Sequence, residues 1–302
     1  MNELQGWLNI YKPLGISSFY VVKKIKQKFN LKNIGHGGTL DPLAEGVLPI
    51  AIGKTTKLIK FINQNVKEYE FEIKWGEQTS TDDAEGKVLA TCKIIPTLLQ
   101  IKKILKEFNG EILQEPPKAS AVKIKGKRAY ALLRENKNFQ IPPKKVTIYS
   151  SKILSDKNGL ITKFLIKCGK GFYIRSFARD LAQKLNTKGH IFSLKRTKVG
   201  KFNIKSANLL DDLLKIRQTL FEFKGFHTSI SMLDDILAYE IEDEKNLKSV
   251  SQGKSINIEF HKLSLPPLNL SERKIIFLTD KGNVVSFGKL DGDLFKPDRV
   301  LI

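Results

Sequence analysis

The sequence predicts an α/β chain of the α+β kind, whose main body is a mixed, largely antiparallel sheet. Up to about residue 210 strand-like segments outnumber helical ones, and many of them are joined by short turns. There is no GxGxxG fingerprint, no Walker A loop and no repeat of 20–50 residues, which argues against a doubly wound sheet or a solenoid. Gly53-Lys54-Thr55 looks like the tail of a P-loop but lacks the glycine that should precede it.

The elements follow in order. Residues 6–11 read as a strand through Trp7, Leu8, Ile10 and Tyr11, ending at KPLG. Ser17 or Ser18 can cap a helix to about residue 29, with Val22, Ile25 and Phe29 in its apolar face. A glycine-rich stretch, GHGGTLDPLAEG at 35–46, precedes the apolar run VLPIAIG and a short helix around 55–62. Residues 66–75 alternate, placing Tyr69, Phe71 and Ile73 on one face and Glu68, Glu70 and Glu72 on the other. A strand is expected at KVLATCKI after the turn near Glu85-Gly86, and a helix at 98–108 carrying Leu98, Ile101, Ile104 and Leu105. Strands at 144–153 and 160–168 and a helix from Ile174 to about Leu185 follow. Composition shifts after about residue 207, with helical apolar runs and the acidic EDE at 242–244. Short strand-like runs (SINIEF, RKIIFL, NVVSFG) then suggest a small β-rich module over 248–302, docked on a main body of 1–247.

The 302 residues hold 52 Lys plus Arg against 31 Asp plus Glu, a formal charge of +21, with 41% hydrophobic residues. This excludes an acidic disordered tail, a collagen-like fibre and a disulfide-stapled mini-domain. The charge makes a polyanion the first partner to consider; the alternative is a lysine excess set by genome composition. The basic residues are concentrated: nine Lys or Arg with one acidic residue at 118–145, and eleven with one at 163–201. Both stretches are expected to face nucleic acid, or else to be solvated faces. Cys92 and Cys168 form no CxxC, His36, His190, His227 and His261 form no HExxH, and no metal site or disulfide is expected. Both cysteines read as small buried hydrophobes. With no basic region leading into an apolar run and no stretch of 18 apolar residues, the chain is expected to be cytoplasmic, with no membrane partner.

Asp41 stands out among the carboxylates. Four glycines and Pro42 shape its twelve-residue loop, and the proline pushes Asp41 away from the α region. A carboxylate held there can serve as a general base or nucleophile; the plainer reading is an Asx-type turn. His36 shares the loop and can act in acid–base chemistry or donate to phosphate. Arg175, after KCGKGFYI, can clamp a phosphate, pair with a buried carboxylate, or be an ordinary surface arginine. Tyr69 and Tyr173 can stack on a base or belong to the core.

Six segments, in order, then resemble the TruB family of bacterial tRNA pseudouridine synthases: KPLGISS at 12–18, GHGGTLDPLAEGVLPIAIGKTTK at 35–57, VKEYEFEIKWGEQTSTDDAEG at 66–86, PPKASAVKIKGKRAYALLR at 116–134, CGKGFYIRSFARDLAQKL at 168–185 and RTKVGKF at 196–202. The resemblance implies a mixed central sheet of the pseudouridine synthase type and, over the short C-terminal segment ending GKLDGDLFKPDRVLI, a PUA-like pseudo-barrel that binds RNA. It implies isomerisation of uridine 55 in the TΨC loop of tRNA, by base flipping, glycosidic cleavage, rotation of the uracil and reattachment through C5. No metal or organic cofactor is implied, and the expected partner of a monomeric chain is the TΨC stem-loop.

By the same resemblance Asp41 is the catalytic carboxylate, Arg175 its partner, and Tyr69 the residue that stacks on the base and is a candidate for the C5 proton step. His36 helps fill the space left by the flipped base, Asp83 joins a polar network near it, and Lys12 and Tyr173 are substrate-binding candidates. Residues 118–145 correspond to a thumb that closes on the RNA loop. Departures are Ser17 for the usual Thr, Ala131 where a polar residue is common, and Asn136 where many members have Gly. The alternatives are a non-catalytic tRNA-binding or tRNA-folding protein on the same fold, and the related archaeal and eukaryotic synthase that works within guide-RNA particles.

Overall fold

The computed structural model describes residues 4–62, 66–135, 137–217, 219–223, 225–233, 237–263 and 275–302; Asn136, Arg273 and Lys274 fall outside them. The main sheet runs, in order, Asn208–Leu209, Gly6–Lys12, Ala44–Ile52, Gly189–Val199, Lys67–Trp75, Ile161–Cys168, Lys144–Lys157 and Gly110–Gln114. It is mixed as expected: Gly6–Lys12 with Asn208–Leu209 and Gly189–Val199 with Ala44–Ile52 are parallel, and the other pairs along this order are antiparallel.

The alternation over Lys67–Trp75 acts as anticipated. Tyr69, Phe71, Ile73 and Trp75 are buried, where Phe71 and Phe164 stack at 5.4 Å and Phe177 meets Phe71 edge-on at 5.8 Å. Phe177 belongs to the Ile174–Lys184 helix, whose buried Ile174, Phe177, Ala178, Leu181 and Ala182 recur at helical spacing. On the opposite face Glu68, Glu70 and Glu72 meet Lys167, Lys163 and Lys157 at 3.7, 2.8 and 2.9 Å. Part of the basic stretch 163–201 is therefore engaged within the fold, while Lys170, Lys198 and Lys201 stay exposed. Lys163, Lys167 and Lys195 neutralise neighbouring glutamates, and Arg175 and Arg196 are buried.

The Gly189–Val199 strand sits in the middle of the sheet although no periodicity announced it. Arg196 and Thr197 are polar yet buried at 1% and 7% exposure, so the apolar pattern that marks a central strand is broken. Its parallel neighbour passes at Gly46 (φ +106), where a Cβ would lie 2.3 Å from the Arg196 carbonyl oxygen, so a side chain there would hold the strands apart. Other differences are local. The expected 98–108 helix is Leu98–Leu105 plus a 3-10 turn, and it buries Ile101 and Leu105 while leaving Leu98 and Leu99 exposed. Cys168 is buried and its thiol pushed up to about 12 by burial, whereas Cys92 is only half-buried, against expectation.

A second, five-stranded sheet takes Leu237–Glu240, Ile275–Asp280, Asn283–Asp291, Leu294–Val300 and Ile256–Asn257 in that order. Leu237–Glu240 lies ahead of residue 248, where the composition suggested that the β-rich module begins, because that strand pairs in parallel with Ile275–Asp280. Ile276 and Leu278 point into the module's own core, while Phe277 faces a core shared with Trp7, Val47, Leu58 and Ile62 of the main body. Burial on both faces explains why this strand reads as a continuous apolar run.

Candidate active site

Asp41 lies on the loop between the Ile34–His36 and Ala44–Ile52 strands. Two anchors hold that loop. Ser18, the first residue of the Ser18–Lys28 helix, is 1% exposed, and its Oγ accepts from Leu40 N at 2.8 Å and donates to Leu40 O at 2.9 Å. Ser17 caps the same helix, its Oγ accepting from Tyr20 N at 3.1 Å. Beyond Asp41, Gly15 N donates to Pro42 O at 2.9 Å and Ala44 N to Asp41 O at 3.0 Å. Lys12 is fully buried, with its ammonium donating to Ile16 O (2.6 Å), Pro13 O (2.9 Å) and Pro42 O (3.5 Å). Burial lowers its pKa to about 8 despite nearby Asp41. This geometry makes Lys12 a clamp between two loops, and it offers a substrate no surface there.

The anchored backbone leaves the Asp41 carboxylate 38% exposed, and Arg175 meets it from the opposite side, Nη2 to Oδ2 at 3.0 Å. Arg175 is the second residue of the Ile174–Lys184 helix and is itself 7% exposed. Its guanidinium also reaches Asp83 Oδ2 at 3.4 Å, Thr81 O at 3.1 Å and Ala119 O at 3.0 Å. A cation in the first turn of a helix opposes the helix dipole, so this buried charge depends on its two carboxylates and two carbonyls. One helical turn on, Arg179 projects from the same face and pairs with Asp82 at 3.3 Å.

The acidic members come from the tight turn 79–86. Asp83 is 2% exposed and accepts from the Thr81 hydroxyl and from Glu85 N. Asp82 adopts φ +60, a left-handed conformation that Asp tolerates better than most residues.

Three rings complete the surroundings. Tyr69 is 8% exposed; burial pushes its hydroxyl pKa up, Arg196 offsets part of this, and Asp41 adds to it, so the phenol keeps its proton at neutral pH. Tyr173 is half-buried and shifted up by burial, with Arg175 and Asp41 among its electrostatic neighbours. Buried Gln114 fixes Tyr173 from both sides, its Oε1 accepting from Tyr173 N at 2.8 Å and its Nε2 donating to Tyr173 O at 3.1 Å. His36 is shifted down by burial and by Arg196, hence neutral at neutral pH, and its Nδ1 is buried without a hydrogen-bond partner among the described residues.

Arg196 is the residue that sequence reasoning passed over. It is 1% exposed, donates from Nε to Val47 O at 2.8 Å and from Nη2 to Gly38 O at 2.9 Å, and stands opposite Tyr69 in the neighbouring strand. It thereby ties the glycine loop of Asp41 to the strand of Tyr69. The signal was present in RTKVGKF, but only as a motif match. Gln114 and Arg179 were likewise inside or beside quoted segments with no role attached, and Ser18 stood out only as a candidate helix cap. Among the described residues no group of three or more His, Cys, Asp or Glu is placed to hold a metal ion, and no helix is long and apolar enough to cross a membrane.

A buried arginine shared by two carboxylates, one of them partly open, is an arrangement capable of acid–base or nucleophilic chemistry. Comparison with known proteins gives the class. Residues 26–174 match the family described as "TruB family pseudouridylate synthase (N terminal domain)". The chain is 40% identical to tRNA pseudouridine synthase B of Anaplasma marginale (strain St. Maries), over 98% of this chain and 96% of that one. It is 47% identical to tRNA pseudouridine synthase B of Wolbachia pipientis subsp. Culex pipiens (strain wPip), over 72% of this chain and 62% of that one. Its fold is that of a chain in "Crystal Structure of a Cbf5-Nop10-Gar1 Complex", with a TM-score of 0.74, 23% identity and coverage of 98% of this chain and 85% of that one. The chain belongs to the TruB family of pseudouridylate synthases.

Proposed function

We propose that this chain binds the TΨC arm of tRNA and isomerises uridine 55 to pseudouridine, acting as a cytoplasmic monomer, with Asp41 as the catalytic carboxylate. The observation that carries this reading is the Asp41–Arg175 pair, a carboxylate 38% exposed held at 3.0 Å by an arginine that is otherwise buried. One face of the carboxylate is oriented by the guanidinium at low reorganisation cost and the other is open to a ribose. From there an oxygen can attack the nucleoside or remove the C2′ proton; on either route the bond from the uracil nitrogen to C1′ breaks, the ring turns, and C5 rejoins the sugar.

Tyr69 lies beside Arg196, which suits a ring that stacks on the flipped base; because its phenol carries a proton, it can take the proton leaving C5 only as a relay, the hydroxyl oxygen accepting that proton while its own passes to solvent. Asp83 and Tyr173 surround the same guanidinium and help to hold the base. Neutral His36 fills space near the flipped nucleotide. The body up to about residue 233 carries the chemistry, and the sheet from Leu237 onward serves as a small PUA-like RNA-binding module. Residues 118–145 act as a thumb on the RNA backbone: Lys118, Lys123, Lys125 and Arg128 are exposed there, around a two-residue hairpin turn at Lys125 and Gly126, both with positive φ.

Mapping pseudouridine in tRNA transcripts after incubation with the full chain tests this. Product is expected at position 55 and none in a transcript carrying cytidine there. Product elsewhere, or none at all, contradicts the reading.

A further inference from the structure

The region leading to Asp41 carries an apolar patch that its own folding does not use. Phe19 is 72% exposed, Leu14 62% and Tyr20 42%, within one seven-residue span. Single exposed apolar side chains are ordinary, but these three fall within seven consecutive residues, Phe19 and Tyr20 side by side in sequence, while the core contacts of the Ser18–Lys28 helix are made by fully buried Val21 and Ile25. The span is fastened to the candidate active site on both sides of Asp41. Ser18 bonds Leu40 twice, and Gly15 N donates to Pro42 O.

Charge identifies the occupant. From Leu4 to Leu40 there are six lysines and no Asp or Glu. Lys23, Lys26 and Lys28 are exposed on the same helix, and Lys24 Nζ lies 5.3 Å from the Tyr20 ring centroid. Exposed ring faces beside ammonium groups are the arrangement by which proteins hold unpaired nucleotides: bases stack on the rings, and phosphates meet the lysines.

We propose that Phe19 and Tyr20 form a stacking surface for an unpaired base of the substrate RNA adjacent to the one that reacts, with Leu14 adding apolar area at its edge and Lys23 and Lys24 on the neighbouring phosphates. This rests on the isomerase reading of the same site. It adds a substrate contact outside the Asp41–Arg175–Asp83 cluster, made by side chains that play no part in the chemistry.

The experiment is steady-state pseudouridine formation on a full-length tRNA transcript. In Phe19→Ala/Tyr20→Ala, KM rises about five-fold or more while kcat stays within about two-fold. Phe19→Trp keeps the wild-type KM, and Phe19→Leu behaves as Phe19→Ala, because leucine retains apolar area without a ring face. Leu99→Ala, at an equally exposed leucine on the Leu98–Leu105 helix, leaves KM unchanged. An unchanged KM in the double variant, a fall in kcat alone, or an equal rise in Leu99→Ala overturns the stacking surface and leaves the isomerase reading standing. A wild-type chain that forms no pseudouridine in any tRNA overturns both.

Discussion

At the scale of single residues, Arg175 decides how the candidate site holds together. Its guanidinium is nearly buried at the start of a helix, where the dipole disfavours it, and Asp41, Asp83 and two carbonyls offset that cost. Arg175→Met should therefore destabilise the chain by about 3–5 kcal/mol, read from urea unfolding, and abolish turnover; near-wild-type stability would mean that Asp83 finds another partner. His36 provides a pH test. Its folded-state pKa lies below the ordinary 6.5, so above pH 6.5 both folded and unfolded forms are neutral and its contribution is complete. As pH falls below 6.5 the unfolded chain takes up the proton first and stability is lost. His36→Gln should flatten that part of the pH–stability curve, and an unchanged slope would refute the buried, neutral histidine. Asp41 and Arg175 could be singled out from sequence because glycines, a proline and motif spacing surround them. Arg196 could not, because nothing local distinguishes a buried arginine from a surface one.

At the scale of elements, the Asp41 loop gains its shape from neighbours distant in sequence. Ser18 satisfies both backbone groups of Leu40, so Ser18→Ala leaves a buried donor and acceptor unpaired. The expected result is a loss of about 1–3 kcal/mol together with a fall in kcat larger than any change in KM, measured on tRNA transcripts; a change confined to KM would show that the loop keeps its shape without that anchor. Elements with clean periodicity were legible: the alternation of Tyr69, Phe71 and Ile73 and the helical spacing of Ile174, Phe177, Ala178 and Leu181 both carried over into the fold. The central strand Gly189–Val199 was not legible, since its buried Arg196 and Thr197 serve tertiary bonds that periodicity does not encode.

At the scale of the whole molecule, the two sheets are joined by a common core. Phe61 meets Phe277 at 4.9 Å and Phe287 at 5.3 Å, in a cluster that also contains Trp7 and Ile62. Phe277→Ala should cost about 3–5 kcal/mol and shift unfolding of the whole chain together, so that tryptophan fluorescence and far-UV circular dichroism lose their signals at the same denaturant concentration. Two separated transitions would show that the sheets unfold independently. The total charge was readable from composition but its distribution was not. Cross-strand pairs such as Lys163–Glu70 absorb part of the excess, while Lys118, Lys123, Lys125 and Arg128 in 118–145 and Lys23, Lys26 and Lys28 near the N-terminus stay exposed.

The central claim, that one partly open carboxylate performs the isomerisation, is tested most directly by Asp41→Asn. The variant keeps the shape of the side chain and removes the carboxylate. It should bind tRNA with wild-type affinity and form no pseudouridine at position 55 in a single-turnover assay. Pseudouridine formed there by Asp41→Asn at a rate near that of the wild type would contradict the account.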